Sequence, residues 1–282
     1  MEKIALITDS SCDLPQSMVE KYNINVLPLH VIFKDKEYRD GVDINSQELY
    51  EKLPLEIPKT SMPSIGETVE LLEKLKDEGY THALAILISK GLSGTYSMVD
   101  SLKERAKEIG ITLIVIDSRA LSLGLGFMVT KAAQLLEKGL TVKEVVDQML
   151  ELKDKARVFF VVKTLEYLRK GGRIGLVEGT IGDILDIKPI VSINEDGIYY
   201  TVDKVRGRNK SLTRIMDIAV EAIGNQKVNL AIVHGAAEEE AKMIFNKIKG
   251  RVKTEELIVT GTGPAMGVHT GPGLIGITFC PA

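Results

Sequence analysis

Tryptophan is absent, and aromatic residues make up only 5% of the chain. Its apolar residues are therefore mainly aliphatic, which suits a smooth alkyl-lined interior and suits any ordinary core equally. Only two cysteines occur, Cys12 and Cys280, far apart in sequence. That leaves neither a disulfide framework nor a CxxC metal site. The four histidines, His30, His82, His234 and His269, show no metal-ligand spacing, so no metal is expected. No apolar run reaches the ~18 residues of a membrane-spanning helix. The opening Met-Glu-Lys leads straight into a strand-like run, without the basic and apolar regions of a secretory signal. A cytoplasmic protein without stable membrane insertion is expected. Charge is close to balanced, with a formal net value of −3. This gives no electrostatic ground for a nucleic-acid partner.

The chain has 282 residues, and single domains commonly run to ~100–200. Two domains are expected, each large enough to bury a core. Up to about residue 155, strand-like and helix-like segments alternate. Apolar runs at 4–8, 24–33, 83–88 and 111–116 read as strands. Stretches at 15–22, 46–53, 64–78, 93–109, 120–137 and 142–152 read as helices. That order predicts a mostly parallel sheet covered by helices. Beyond it the pattern changes. Strands are expected at 158–162, 190–193 and 198–202, the last two joined through Asn194-Glu195-Asp196-Gly197, a hairpin signal. Helices at 212–223 and 236–248 and strands at 230–233, 257–260 and 274–279 complete a mixed sheet with helices on one face. The fold class is thus α/β. An N-terminal three-layer α/β/α domain is expected over 1–155, and a C-terminal two-layer α/β domain over 156–282.

Glycine- and hydroxyl-rich stretches fall at the expected strand ends, where open α/β sheets hold their ligands. In Thr60-Ser61-Met62-Pro63-Ser64, Ser64 caps the following helix, with Glu67 completing a capping box. Thr60 and Ser61 lie outside that role in an expected loop and are candidates for ligand binding. In Gly91-Leu92-Ser93-Gly94-Thr95-Tyr96, Ser93 reads as an N-cap. The same helix start offers an anion the Ser93 hydroxyl and the Gly94 amide. It is not a phosphate loop, since the Gly-Lys-Ser/Thr ending is missing. Nor is it a nucleophile elbow, because Thr95 stands where glycine is required.

Arg169-Lys170-Gly171-Gly172-Arg173 reads as a helix C-terminus with basic residues and glycine caps. Arg173 lies beyond the cap and is free for an anion or a partner. Gly261-Thr262-Gly263-Pro264-Ala265-Met266-Gly267, continuing through His269, suggests a dinucleotide loop but fails the spacing. Its third glycine comes one residue late, and no acidic residue follows about 20 residues on. His269 is expected in a glycine-rich loop that permits close approach of a ligand. The basic run Lys204-Val205-Arg206-Gly207-Arg208 is ordinarily a solvated surface, and in a net-acidic chain it also suits docking of an anionic partner.

Together these stretches resemble the DegV family of bacterial fatty-acid-binding proteins. The resemblance rests on Thr8-Asp9-Ser10 with Asp13-Leu14, Thr60-Ser61-Met62-Pro63-Ser64 and Gly91-Leu92-Ser93-Gly94-Thr95-Tyr96. It continues through Ile116-Asp117-Ser118, Gly171-Gly172-Arg173-Ile174, Lys204-Val205-Arg206 and His269-Thr270-Gly271-Pro272-Gly273. It spans nearly the whole chain in order. It implies the two-domain EDD fold, with a long-chain fatty acid in a tunnel between the domains. It further implies a separate ATP-dependent fatty acid kinase subunit as partner, which phosphorylates the bound acid for phospholipid synthesis. By position, Thr60, Ser61, Ser93, Gly94 and His269 would serve the carboxylate. Arg173, Lys204 and Arg206 would serve the partner or the phosphorylated head. No cofactor and no catalytic residue is implied. Two alternatives stand beside it. One is a serine-dependent acyl hydrolase or acyltransferase using Ser93 or Ser61 with His269. The other is a carrier of a different apolar ligand without a kinase.

Overall fold

The computed structural model describes residues 2–180 and 186–282. The chain opens with β1 (Ile4–Asp9), α1 (Gln16–Lys21) and β2 (Ile24–Leu27). A small hairpin follows, β3 (His30–Ile32) and β4 (Glu37–Arg39), then α2 (Ser46–Lys52), β5 (Lys59–Ser61) and α3 (Ile65–Asp77). Next come β6 (His82–Leu87), α4 (Thr95–Ser101), α5 (Lys103–Ile109), β7 (Thr112–Asp117), α6 (Ser122–Glu137) and α7 (Val142–Leu152). The remainder runs β8 (Arg157–Val161), α8 (Glu166–Lys170), β9 (Ile187–Ile193), β10 (Tyr199–Arg206), α9 (Arg208–Ile223) and β11 (Lys227–Gly235). It ends with α10 (Glu238–Ile248), β12 (Lys253–Gly261), α11 (Pro264–Thr270) and β13 (Leu274–Pro281).

Strands β2, β1, β6 and β7 form a parallel sheet in that order. Their near-continuous apolar runs fit strands buried on both faces. Ala5, Ile7, Ala83 and Ala85 meet residues of α3, α4 and α5 on one face, while Leu6, Leu84 and Ile86 meet α6 and α7 on the other. The second sheet has the order β10-β9-β8-β13-β11-β12, parallel only between β11 and β12. One of its faces is covered by α9 and α10. The other packs on α6.

Helix α6 explains how the sheets meet. Twelve of its 16 residues are buried, as expected of a helix apolar on all sides. Two glycines allow close contact. A Cβ at Gly124 would stand 2.6 Å from Val158 Cγ2 on β8, and one at Gly126 would stand 2.8 Å from the Cys12 carbonyl oxygen. One hydrophobic cluster consequently runs from Leu84 and Ile86, through Phe127 and Met128, to Phe160 and Val233.

The structure corrects four local expectations. The run 24–33 is two strands, because Pro28 has no N–H to donate and the chain leaves for a separate antiparallel sheet, β4-β3-β5. Thr60 and Ser61 lie on a strand of that sheet rather than in a loop, paired with Val31 and His30. The helix expected over 93–109 is divided at Leu102, where the Ser101 hydroxyl turns back to the Met98 carbonyl. His269 sits on α11, a fully buried helix, and not in a loop. The capping box of Ser64 and Glu67 and the hairpin turn at Asn194–Gly197 form as expected. Among the described residues no helix is long and apolar enough to cross a membrane.

Candidate functional site

The end of β5, the loop after β6, the segment after α8 and one side of α11 converge on a cavity of about 310 Å³. That is at the lower end of ligand-pocket volumes. Thr60, Ser61, Ser93, Gly94, Arg173 and His269 all line it, together with Tyr199 and Met266. Six of the eight residues singled out in the sequence therefore meet in one place, although they are spread over more than two hundred positions. Lys204 and Arg206 do not line it. Both are exposed on β10, an edge strand, on the same face of the sheet as Val191 and Tyr199. Charges there also discourage pairing with another chain.

His269 is 5% exposed. Its Nε2 lies 2.7 Å from Thr60 Oγ1, and its Nδ1 is buried with no partner among the described residues. Burial, and next the positive charge of Arg173, push its pKa down to about 3. The ring is neutral at physiological pH, with one nitrogen donating and the other accepting. Gly171 is required beside it, since any side chain there would collide with the imidazole. A serine–histidine catalytic pair needs one ring nitrogen on the serine and an orienting acceptor on the other. Here Nε2 meets Thr60, and Nδ1 meets neither a serine nor a carboxylate.

Ser93 does not cap α4. Two successive bonds from the Leu92 and Ser93 amides to the Ser89 carbonyl tighten the turn, and Gly94 becomes the cap. The Ser93 hydroxyl rests 2.9 Å from Thr95 Oγ1. The Ser61 hydroxyl donates to its neighbour's carbonyl, at 3.2 Å. Both can be redirected to a ligand by rotation about one bond. Arg173 donates from Nη1 to the Gly171 carbonyl (2.8 Å) and from Nε to the Leu92 carbonyl (3.4 Å), tying the segment after α8 to the loop after β6.

Tyr199 and Met266 also wall a second cavity of about 30 Å³ between the start of α6 and the mixed sheet, where Val158, Phe160 and Val233 are neighbours. The Tyr199 ring stands edge-on to Phe160, with centroids 5.0 Å apart. A chamber bearing several hydroxyls is thus backed by a smaller, more apolar one. Neither Tyr199 nor Met266 was singled out in the sequence. Tyr199 and Tyr200 are adjacent on one strand, and alternation alone does not say which of them faces inward.

A family model described as "Uncharacterised protein, DegV family" matches residues 3–282. The chain belongs to the DegV family. A DegV domain-containing protein of Clostridium acetobutylicum is 44% identical over 280 residues, covering 99% of each chain. Among solved structures, a fatty-acid-binding DegV family protein of Thermus thermophilus is 30% identical. It matches with a TM-score of 0.92 over 99% of this chain and 100% of its own. DegV of Bacillus subtilis, a fatty acid binding protein, is 31% identical and matches with a TM-score of 0.91 over 100% of both chains.

In this DegV chain, α11 is held at its amino end by buried carboxylates. Asp13 accepts from the Gly263 amide (2.7 Å), the Thr262 hydroxyl (2.9 Å) and the Ser122 hydroxyl (2.5 Å). Asp40 accepts from the Ala265 amide (3.0 Å) and the Ser10 hydroxyl (2.6 Å). Asp9, beside them, accepts from the Ile88 and Ser11 amides. The Gly263 and Ala265 amides belong to the first turn of α11, which has no intrahelical acceptor for them. Among the described residues, no group of three or more His, Cys, Asp or Glu side chains is placed to hold a metal ion.

Burial raises the pKa of Asp13 to about 6 and that of Asp40 to about 7, against the pull of their donors. Both values lie above the unfolded carboxyl range, so folding takes up protons. This contribution is fully present below the unfolded pKa and is lost as pH rises through about 6 and then about 7. His269, held low, works the other way below its ordinary value of 6.5, so thermal unfolding is expected at higher temperature near pH 6.5 than near pH 8, where the carboxylates alone set the trend. Asp40→Asn keeps an acceptor for Ala265 but cannot ionise, and should shrink that difference. Equal pH dependence in both proteins would contradict the assignment.

Proposed function

We propose that this chain binds a long-chain fatty acid between its units 1–155 and 156–282. The carboxylate lies among Thr60, Ser61, Ser93, Gly94 and His269, and the tail passes Tyr199 and Met266 into the apolar space behind. The observation that carries this is one cavity, lined by those hydroxyls, that abuts a smaller and mainly apolar cavity through the shared side chains of Tyr199 and Met266. The fatty-acid binding of the Thermus and Bacillus relatives supports it.

The chemistry divides into two parts. Hydroxyl groups donate to an ionised carboxylate or accept from a protonated one. They hold the head group without clamping it as a bidentate arginine would. The neutral His269 adds one more hydrogen-bonding group and no charge. Each buried CH₂ contributes about 0.8 kcal/mol, so a long tail offers on the order of 10 kcal/mol before association costs. The tail supplies affinity, and the hydroxyls set orientation. The chain acts as a carrier and not as a catalyst. It presents the carboxylate to an ATP-dependent fatty acid kinase subunit, which docks over Arg173, Lys204 and Arg206 and forms the acyl phosphate.

Ser93→Ala is expected to weaken oleate binding roughly tenfold, the worth of one hydrogen bond to a charged group. Its circular dichroism and Tm should stay those of the parent. Unchanged affinity in calorimetric titration would reject Ser93 as a head-group ligand. Arg206→Ala should retain oleate yet lose acyl-phosphate formation in the presence of ATP and the kinase subunit. Loss of oleate binding in that variant would show that Arg206 belongs to the lipid site instead.

A further inference from the structure

The small cavity behind Tyr199 is not wholly apolar. Besides Tyr199, four of its lining residues, Ser122, Thr262, Thr270 and Thr278, carry hydroxyls. Three of these are committed elsewhere. Ser122 and Thr262 donate to Asp13, and Thr270 donates to the Met266 carbonyl. The fourth is not. Thr278 Oγ1 is buried with no partner among the described residues, on a side chain only 1% exposed.

Its position on β13 makes this more than a surface accident. Ile275, Ile277 and Phe279 face the α9 and α10 side of the sheet, whereas Gly276 and Thr278 face α6. Across the ladder Thr278 pairs with Val158 and Ala231, both apolar. A valine would match the shape of Thr278 without leaving a hydroxyl unpaired in a low-dielectric interior, which is costly. Two residues before it, Gly276 has space for no more than a methyl group, in ordinary contact with Phe159, Val233 and Phe160. A Cβ there meets nothing nearer than 3.6 Å. A cavity of about 30 Å³, room for one small polar group, and an unpaired hydroxyl therefore coincide behind Tyr199 and Met266, on the proposed path of the tail. The hydroxyl of Thr8 is also buried without a partner, but it lines neither cavity.

We infer that this chain prefers fatty acids bearing a hydrogen-bonding group along the chain, a hydroxy fatty acid in particular, with Thr278 as the residue that recognises it. The inference rests on the fatty-acid assignment above and adds a ligand class and a specificity residue to it. The ligand hydroxyl and Thr278 can each donate or accept, so one hydrogen bond joins them in either direction.

The test is competitive binding of stearic, 10-hydroxystearic and 12-hydroxystearic acids to the full chain, to Thr278→Val and to Thr278→Ser. In the parent, at least one hydroxy acid should bind about fivefold more tightly than stearic acid, the worth of one net hydrogen bond. Thr278→Val should bring that ratio close to one, and Thr278→Ser should keep it. A parent with no preference for either hydroxy acid overturns the inference. So does a preference that survives in Thr278→Val or is lost in Thr278→Ser. If none of the three acids binds the parent, the fatty-acid assignment itself fails, and this inference falls with it.

Discussion

The amino end of α11 is the point on which the site depends. A helix start leaves backbone amides without intrahelical acceptors, and here Ala265 is buried and Gly263 half-buried. The chain answers with Asp13 and Asp40, two carboxylates from its first forty residues, placed on the Gly263 and Ala265 amides. Burying carboxylates is expensive unless they are hydrogen-bonded, and the Ser10, Ser122 and Thr262 hydroxyls complete their shells. The result is a polar knot joining the end of β1, the start of α6 and the start of α11. It fixes the helix whose next residues, Met266 and His269, form the wall of the cavity.

From that anchor the two chambers follow. The hydroxyl-lined chamber draws on strand ends and loops of the parallel and small antiparallel sheets. The apolar chamber draws on the inner face of the mixed sheet and on α6, whose glycines let it lie close to both sheets. Tyr199 and Met266 belong to both chambers. Hydroxyl groups of Thr60, Ser61 and Ser93 collect in the larger cavity, and the smaller one behind it exposes mainly apolar surface. A neutral His269 suits a site that holds an anion by hydrogen bonds rather than by a fixed ion pair. Arg173, the one cation on the wall among the described residues, has two of its donors on backbone carbonyls.

Much of this was legible in the sequence. The runs 83–88 and 111–116 have the near-continuous apolar character of strands in a covered parallel sheet, and the structure places strands over 82–87 and 112–117, at the centre and edge of that sheet. Capping at Ser64 and the turn before Gly197 are local chemistry and were read correctly. The hydroxyl-rich junctions marked six residues that the fold brings to one cavity. What escaped was set by distant contacts. Three-residue strands such as β5 carry no periodicity to detect. The glycine-rich run after β12 reads as a loop because the partners that cap it as α11 lie 225 and 250 positions away. The inward turn of Tyr199 depends on strand register, and the double role of α6 depends on a sheet formed later in the chain. Neither is encoded locally.

The central claim is that the two chambers hold one fatty acid. Mass spectrometry of lipid extracted from the natively purified protein tests this most directly. One fatty acid per chain is the predicted result, and its length and unsaturation would define the preferred tail. A protein that carries no fatty acid and takes up none when it is supplied would contradict the claim.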